Sequence, residues 1–476
     1  MSVPVTAPAR FRSLRRWPAE WFFAAAFAAV GQWVYLRTPI QWTPFDVAFY
    51  RALALAFVSG FIVMIVVAYG ESLLRNVSAA ERRRWTCIAS AVALLSMLGL
   101  FFLIDTRAPA HNRLLEAAAL STTLVALGLT IFLPVAGLVR PRHVARALAQ
   151  GLSLWGPILV YHVFAGFCLT AVRIATPLVW DPVLLRMDLS LGFNASQIAH
   201  AWHYHAPWIR QFSYIGYALL GLMIALVIAR LQIARAWAHA RRALLASFLV
   251  GVLGLGCYQL VPAIGPIYAF PALYRDLDSR FHRFEAGNAL DEALTGPDRI
   301  RAVPHQLRNA MPSLHTAWAL VSLAAAWHWR RRFFWWCLPL GILQIATTLT
   351  LGYHYLVDLL AAVPLAVFCW WIADRAIRLT PRPTDEPLPV APRVRWRSLS
   401  LFASVGALLA WAALAPLSPW LAWPLATLVV AAPCYPALAG FCATRLSREP
   451  PSPRSLSRGG SPETGQESGN ESCFTL

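Results

Sequence analysis

The sequence predicts an all-α membrane protein, a polytopic transmembrane helical bundle of about twelve spans. Hydrophobic residues make up 58% of the chain and charged residues only 13%, whereas ordinary soluble domains carry about 25% charged residues. The apolar residues are also grouped into runs of the length that a helix needs to cross a bilayer, about 20 residues. These observations exclude a soluble globular protein.

The individual spans follow from these runs. They are predicted near 21–38, 48–69, 85–104, 117–139, 152–173, 208–229, 243–265, 313–329, 333–351, 354–374, 399–416 and 420–441. Between them lie two longer polar segments, 174–207 and 266–312, which we expect to form the walls and lid of any site.

The distribution of arginine predicts the orientation. The formal net charge is +19, and all 41 basic residues are arginine. If the N-terminus is placed in the cytoplasm and the sides alternate, nearly all the excess positive charge falls on cytoplasmic segments, as the positive-inside rule requires. We therefore expect an integral plasma (inner) membrane protein with both termini cytoplasmic. Anionic lipid headgroups are the natural partner of this charge, and nucleic acid is set aside.

The first candidate for chemistry is segment 352–358, Gly-Tyr-His-Tyr-Leu-Val-Asp. Ionisable residues at membrane depth are costly and often functional. His354 and Asp358 are four residues apart and would share a helix face. A carboxylate there can accept the Nδ1–H of the imidazole, which makes Nε2 the better nucleophile. Taken alone, such a pair is also compatible with a structural hydrogen bond.

The second candidate is segment 309–316, Asn-Ala-Met-Pro-Ser-Leu-His-Thr. Pro312 before a long apolar run predicts a helix start, with His315 in the first turn. Helix N-termini bind phosphate, and Ser313 adds a hydroxyl donor. The alternative is a capping segment with an incidental histidine. The predicted topology favours a site, because it brings both histidines to outer helix N-termini, whose dipoles face one volume.

Other histidines carry a weaker signal. His200, His203 and His205 could bind zinc, but no matching acid or cysteine set accompanies them, so we interpret them as part of a solvated loop. The eight cysteines form no Cys-x-x-Cys pair, and no zinc site is predicted.

Segments 312–315 and 352–358 together resemble the paired signatures of the type 2 phosphatidic acid phosphatase superfamily. They are most similar to its inositol phosphorylceramide synthase-like, or inositolphosphotransferase, branch. Segments 181–193 and 262–271 also resemble that branch.

The resemblance covers about 145–378 and implies a six-helix phosphatase or phosphotransferase core there, with four additional spans before it (1–144) and two after it (399–443). Composition predicts a cytoplasmic linker (379–398) and a disordered cytoplasmic tail (444–476), which is rich in Pro, Ser, Gly, Glu and Arg without periodicity.

The resemblance also implies a mechanism at the extracytoplasmic face. His354 would attack phosphorus to form a phosphohistidine, with Asp358 orienting it. His315 would protonate the leaving alcohol and later act as a base. No metal and no cofactor are required.

Two departures from the superfamily bear on the substrate. Its usual Ser-Arg pair corresponds to Thr347 and Thr348, and its Lys-plus-Arg-Pro element falls near 258–271, which has neither Lys nor Arg. A phosphomonoesterase must neutralise a dianion. The absence of these basic residues therefore favours a phosphodiester donor and transfer of the phosphoryl group to an acceptor. We therefore expect a lipid phosphotransferase acting on membrane lipids. The alternatives are a lipid phosphate phosphatase, or a transporter or scaffold without turnover.

The missing charge must be replaced elsewhere. Arg173, Arg308 and Arg301 are the candidate substitutes, and with Ser313 they form the predicted phosphate-binding set. Each arginine could equally be an interfacial or surface residue. The oligomeric state cannot be predicted.

Overall fold

The described part of the chain is mostly helical. The computed structural model describes residues 19–37, 157, 160, 161, 164, 165, 168–274, 280–302, 306–381, 388, 394–414 and 419–446. Three of its helices, Trp237–Leu260, Arg331–Thr350 and Leu356–Leu379, are long and apolar enough to cross a membrane. The helical class and the membrane-helix prediction are therefore confirmed, whereas the count of about twelve spans is not.

Several predicted elements fall outside the described residues. These are the spans near 48–69, 85–104 and 117–139, most of the linker, and the tail beyond 446.

The described helices are α1 (Ala19–Arg37), α2 (Asp181–Leu189), α3 (Ala195–His205), α4 (Pro207–Ala218), α5 (Leu220–Ile233), α6 (Trp237–Leu260), α7 (Pro266–Ala269), α8 (Arg280–Thr295), α9 (Leu314–Trp329), α10 (Arg331–Thr350), α11 (Leu356–Leu379), α12 (Val394–Leu414) and α13 (Ala422–Leu446). Short 3₁₀ turns occupy Pro271–Tyr274 and Pro419–Leu421. The strands β1 (Leu178–Val179) and β2 (Ile300–Arg301) pair antiparallel, with Leu178 opposite Arg301.

The predicted span 208–229 is divided into α4 and α5 at Leu219. The Gly216 carbonyl accepts the Leu219 N–H at 3.2 Å and also a hydrogen bond from the Gln344 side chain of α10. A side chain that inserts into the helical hydrogen-bond ladder is a common cause of a kink or break.

The main apolar core is built around α6, which is buried along most of its length. It packs with α1, α5, α9 and α11. Phe27 of α1 stacks on Tyr161 at 5.7 Å and meets Phe248 of α6 edge-on at 5.9 Å. Helix α1 is therefore part of the core, although its sequence lies outside the region of family resemblance.

Buried ion pairs lie at the start of α6. The Arg241 Nε donates to Glu20 of α1 at 2.5 Å, and its Nη2 to the other carboxylate oxygen at 3.2 Å. Arg242 bonds Asp374 of α11 at 2.7 Å. Buried charges are tolerated when they are paired in this way, so these contacts fix α1 and α11 against α6.

Helices α12 and α13 pack on the core instead of standing apart from it. The Trp411 Nε1–H donates to the Ser190 hydroxyl at 3.0 Å, and the Trp423 Nε1–H to the Leu191 carbonyl at 3.1 Å. Both helices therefore contact the turn that follows α2.

The helix ends converge at one end of the bundle. There the last turns of α6 and α10 meet the first turns of α9 and α11 through the loops that join them. Segments of 174–207 and 266–312 contact these loops, as expected for walls of a site.

The Arg241–Glu20 pair provides a test of the fold. Arg241→Leu leaves the Glu20 carboxylate buried without this partner, so we expect a loss of about 3–5 kcal/mol in unfolding free energy. Thermal unfolding of the detergent-solubilised protein, followed by tryptophan fluorescence, measures it. The double variant Glu20→Leu/Arg241→Leu removes both charges and should recover most of the loss. A single variant as stable as the wild type would contradict this assignment.

Candidate active site

His354 lies in the turn between α10 and α11. Gly352 has a φ of 67°, a conformation that glycine adopts readily, and its N–H donates to Leu349 at 2.8 Å. Helix α11 begins at Leu356, so His354 precedes the helix, although the sequence predicted that it begins it.

Asp358 holds this turn from inside the helix. One oxygen of its fully buried carboxylate accepts the Tyr355 N–H at 2.9 Å and lies 3.3 Å from the His354 Nδ1. The contact therefore arises because Asp358 caps its own helix, and not from a shared helix face. An Nδ1–H directed to this oxygen leaves the Nε2 lone pair available.

Ser313 caps α9. Its hydroxyl oxygen accepts the Thr316 N–H at 3.4 Å and the Thr316 hydroxyl at 3.1 Å, which leaves its own O–H as a donor. Helix α9 begins at Leu314. Pro312 thus lies before the cap, two positions ahead of the first helical residue, and His315 is in the first turn as predicted.

The structure brings the two predicted segments together. The Ser313 N–H donates to the Asp358 carbonyl at 3.1 Å. The imidazoles of His315 and His354 are close enough for a direct electrostatic interaction. Tyr217 of α4 stacks on His315, with ring centroids 4.0 Å apart. His315, His354 and Asp358 therefore surround one volume, while their chemical roles stay predictions.

The two helix N-termini are not equivalent. The Leu356 and Val357 N–H groups donate to the two carboxylate oxygens of Asp188, at 2.7 and 2.9 Å. The expectation that both termini face phosphate is thus wrong for α11, whose end is occupied by a carboxylate. Within the described residues, the Leu314 and His315 N–H groups of α9 make no hydrogen bond.

Asp181 supports the same loop from the other end of α2. Its carboxylate accepts N–H groups from Ile264 at 3.0 Å and Gly265 at 2.9 Å, and the Tyr355 hydroxyl at 3.0 Å. Sequence reasoning noted Asp181 and Asp188 only as part of a resembling segment. Their signal was available, because two acids seven residues apart in an apolar segment lie on one helix face.

The electrostatics of these carboxylates follow from their environment. Burial raises the pKa of Asp181 to about 7, against the hydrogen bonds it accepts, and the charge of Asp358 adds to the rise. Burial raises the pKa of Asp188 to about 8, opposed by the Leu356 and Val357 amides.

Two of the predicted arginines are buried side by side. Arg308 donates to the Thr176 carbonyl at 3.3 Å. Burial and the charge of Arg173 lower the pKa of Arg308 to about 10, opposed by Asp181, so Arg308 is cationic at neutral pH. Arg301 is exposed in β2, and within the described residues no contact joins it to either histidine.

The positions that lack the superfamily's basic residues are used differently. Thr347 and Thr348 donate to carbonyls of their own helix at 2.9 and 2.7 Å. The segment 262–267 contributes backbone groups: Ala263 accepts the Ala310 N–H at 3.0 Å, and Ile267 donates to Gly352 at 3.0 Å. It therefore acts as a scaffold for both histidine segments.

The interpretation of the histidines of 200–205 as a solvated loop is wrong. They lie on α3, where His200 and His203 are buried and stack at 5.2 Å. The His200 Nδ1 is 2.9 Å from the Thr350 carbonyl oxygen. Burial lowers the pKa of His203 to about 4, and the charges of His200 and Arg210 add to this. The described residues contain no group of three His, Cys, Asp or Glu that could hold a metal.

Comparison with known proteins supports the resemblance in part. The family model described as PAP2 superfamily matches residues 182–372, a range that includes His315, His354 and Asp358. Neither a curated protein nor a solved structure matches the chain significantly. The superfamily resemblance is thus confirmed over 182–372, and the comparisons contain no support for the inositol phosphorylceramide synthase-like branch.

Gly265 allows a test of the loop packing. Its φ is 91°, and a Cβ there would overlap the Tyr353 carbonyl oxygen. Gly265→Ala should therefore destabilise the protein by about 1–3 kcal/mol, measured as a lower thermal unfolding midpoint. Gly256→Ala is the matched control, because nothing lies within 4 Å of a Cβ at that helical position. Equal midpoints for the two variants would contradict the packing.

Proposed function

We propose that the protein is an integral membrane lipid phosphotransferase that acts through a phosphohistidine intermediate. The observation that carries the proposal is the interacting pair of imidazoles of half-buried His315 and buried His354, the second of which contacts a buried carboxylate. The donor would be a phospholipid or polyprenyl phosphate, and the acceptor a lipid or sugar alcohol.

In the first step the His354 Nε2 attacks phosphorus. The bond from phosphorus to the leaving alcohol breaks, and His315 gives its proton to the leaving oxygen. Asp358 accepts the Nδ1–H and stabilises the cationic phosphohistidine. In the second step the acceptor hydroxyl loses its proton to His315 and attacks phosphorus, which frees His354.

The protonated His315 that this mechanism needs is favoured by the substrate itself. A nearby anion stabilises the charged form of a histidine, so a bound phosphate would favour the imidazolium of His315. Tyr217, stacked on the same ring, would hold it in position through both steps.

Arg173 and Arg308 support an anion subsite. Two cations held together away from water repel each other, since the local dielectric is low. A phosphate between them would relieve this repulsion through charge-assisted hydrogen bonds. The Ser313 O–H and the Leu314 and His315 N–H groups would add donors at the start of α9.

The charge balance favours a diester over a monoester. Asp181 lies near Arg308 and offsets part of the positive charge. The remainder suits the single charge of a phosphodiester better than the dianion of a phosphomonoester.

A lipid phosphate phosphatase is the second candidate, and the PAP2 superfamily match favours it. Water would then replace the alcohol in the second step, and the same residues would serve.

For the membrane, we infer an extracytoplasmic site and cytoplasmic termini in the plasma (inner) membrane. Support comes from the arginines Arg330, Arg331 and Arg332 between α9 and α10. They lie at the opposite ends of these helices from the histidines, where the positive-inside rule predicts the cytoplasm.

The test of function uses purified protein with phosphorus-labelled phospholipid, with and without an alcohol acceptor. We expect labelled transfer product that depends on the acceptor, and an acid-labile, alkali-stable labelled enzyme. His354→Ala should lose both, with turnover lower by about 10⁴-fold or more.

The matched control is His328→Ala, at the other end of α9, where the ring stacks on Trp370. It should keep its activity. Turnover retained in His354→Ala would defeat the proposal, and free phosphate released regardless of acceptor would select the phosphatase.

The anion subsite is tested by charge removal. Arg308→Gln and Arg173→Gln should each raise KM by about tenfold or more, because each removes a hydrogen bond from a charged donor to the phosphate. Arg332→Gln, at the opposite end of the bundle, should leave KM unchanged. A larger effect at Arg301 than at Arg173 or Arg308 would move the subsite to the exposed strand.

A further inference from the structure

We propose that Asp188 is a positioning residue for His354. Its carboxylate holds the first turn of α11, sets the His354 ring against Asp358, and keeps the anionic substrate away from this helix end. The inference rests on the proposed function, since the reaction it serves is the one described above.

The contact between Asp188 and α11 has two points. Each carboxylate oxygen accepts one of two consecutive backbone N–H groups, Leu356 at 2.7 Å and Val357 at 2.9 Å. Two hydrogen bonds to adjacent peptides restrict both the rotation of this turn and its distance from α2. Asp188 is itself buried, with 1% of its surface exposed.

Asp358 and Asp188 together accept three consecutive backbone N–H groups at the start of α11. The Tyr355 N–H goes to Asp358, which also contacts His354, and the next two N–H groups go to Asp188. None of these three donors is left for a phosphate, because each already bonds a side-chain carboxyl group. The substrate is thereby directed to the α9 side, where His315 lies.

Asp188 can serve this purpose because α2 is held firmly. Leu185 and Met187 beside it are buried. Asp181, at the start of the same helix, bonds the Tyr355 hydroxyl and the amides of 264–265. Helix α2 thus contacts the His354 turn from both of its ends.

A positioning role differs from a purely structural one in what its loss changes. A structural carboxylate lowers stability, whereas a positioning residue lowers kcat in protein that is still folded. Displacement of a reacting group by about 1 Å can cost about 100-fold in rate, while substrate contacts made elsewhere persist and KM stays constant.

The experiment compares Asp188→Ala and Asp188→Asn with Asp374→Asn. Asp374 is a buried carboxylate of the same helix, paired with Arg242 and Arg378 at the far end, and it controls for loss of stability. For Asp188→Ala we expect kcat to fall by about 100-fold with KM unchanged. Asp188→Asn keeps the shape of the side chain and one hydrogen-bond acceptor, so its kcat should lie between that of Asp188→Ala and that of the wild type. Asp374→Asn should lower the unfolding midpoint but keep kcat per folded molecule.

A second measurement does not need turnover. Carbethoxylation of His354 by diethyl pyrocarbonate, followed by mass spectrometry on folded protein, should be faster in both Asp188 variants and unchanged in Asp374→Asn. If the wild type turns over no phospholipid, the proposed function fails, and this comparison still decides the role of Asp188. Wild-type kcat or modification rates in folded Asp188→Ala, or the same changes in Asp374→Asn, would overturn the inference.

Discussion

One buried carboxylate holds the candidate site together. Asp358 joins the His354 turn to its own helix through two contacts on a single oxygen, and its backbone carbonyl binds the residue that caps the His315 helix. A buried carboxylate is costly unless it is hydrogen-bonded, so these contacts favour the observed turn, although the second oxygen has no hydrogen bond within the described residues. Asp358 thereby links the segment that carries His354 to the segment that carries His315.

The distribution of charge around the histidines is asymmetric. Three aspartates, at positions 181, 188 and 358, bond the start of α11, and Arg308 lies close to Asp181 and Arg173. The carboxylates of Asp188 and Asp358 occupy backbone amides at the start of α11, whereas the first amides of α9 make no hydrogen bond within the described residues. The two helix starts therefore offer an anion different surroundings.

Much of this could be predicted from the sequence, and the failures have physical causes. The apolar runs and the two histidine segments identified the class and the convergence of His315 with His354, because membrane helices alternate direction. The starts of α9 and α11 were wrong by one and two residues. Helices α6 and α12 begin six and five residues before the predicted spans, because turns that contain arginine extend them beyond their apolar runs. The spacing of Asp181 and Asp188 indicated a shared helix face, but the contact of Asp188 could not be predicted, because its partners are backbone amides more than 160 positions away. The break at Leu219 depends on a side chain of another helix, which no local pattern encodes.

The tryptophans of α12 and α13 have a consequence for how this chain can be divided. They bond Ser190 and Leu191, which directly follow the helix that carries Asp188, yet both lie beyond the segment that matches the superfamily. The segment that matches the superfamily therefore depends on contacts from outside its own bounds. Excising residues 182–372 for expression, or grafting them into another scaffold, would remove these two tryptophan contacts, and with them Asp181 and Arg173, while keeping His315, His354 and Asp358.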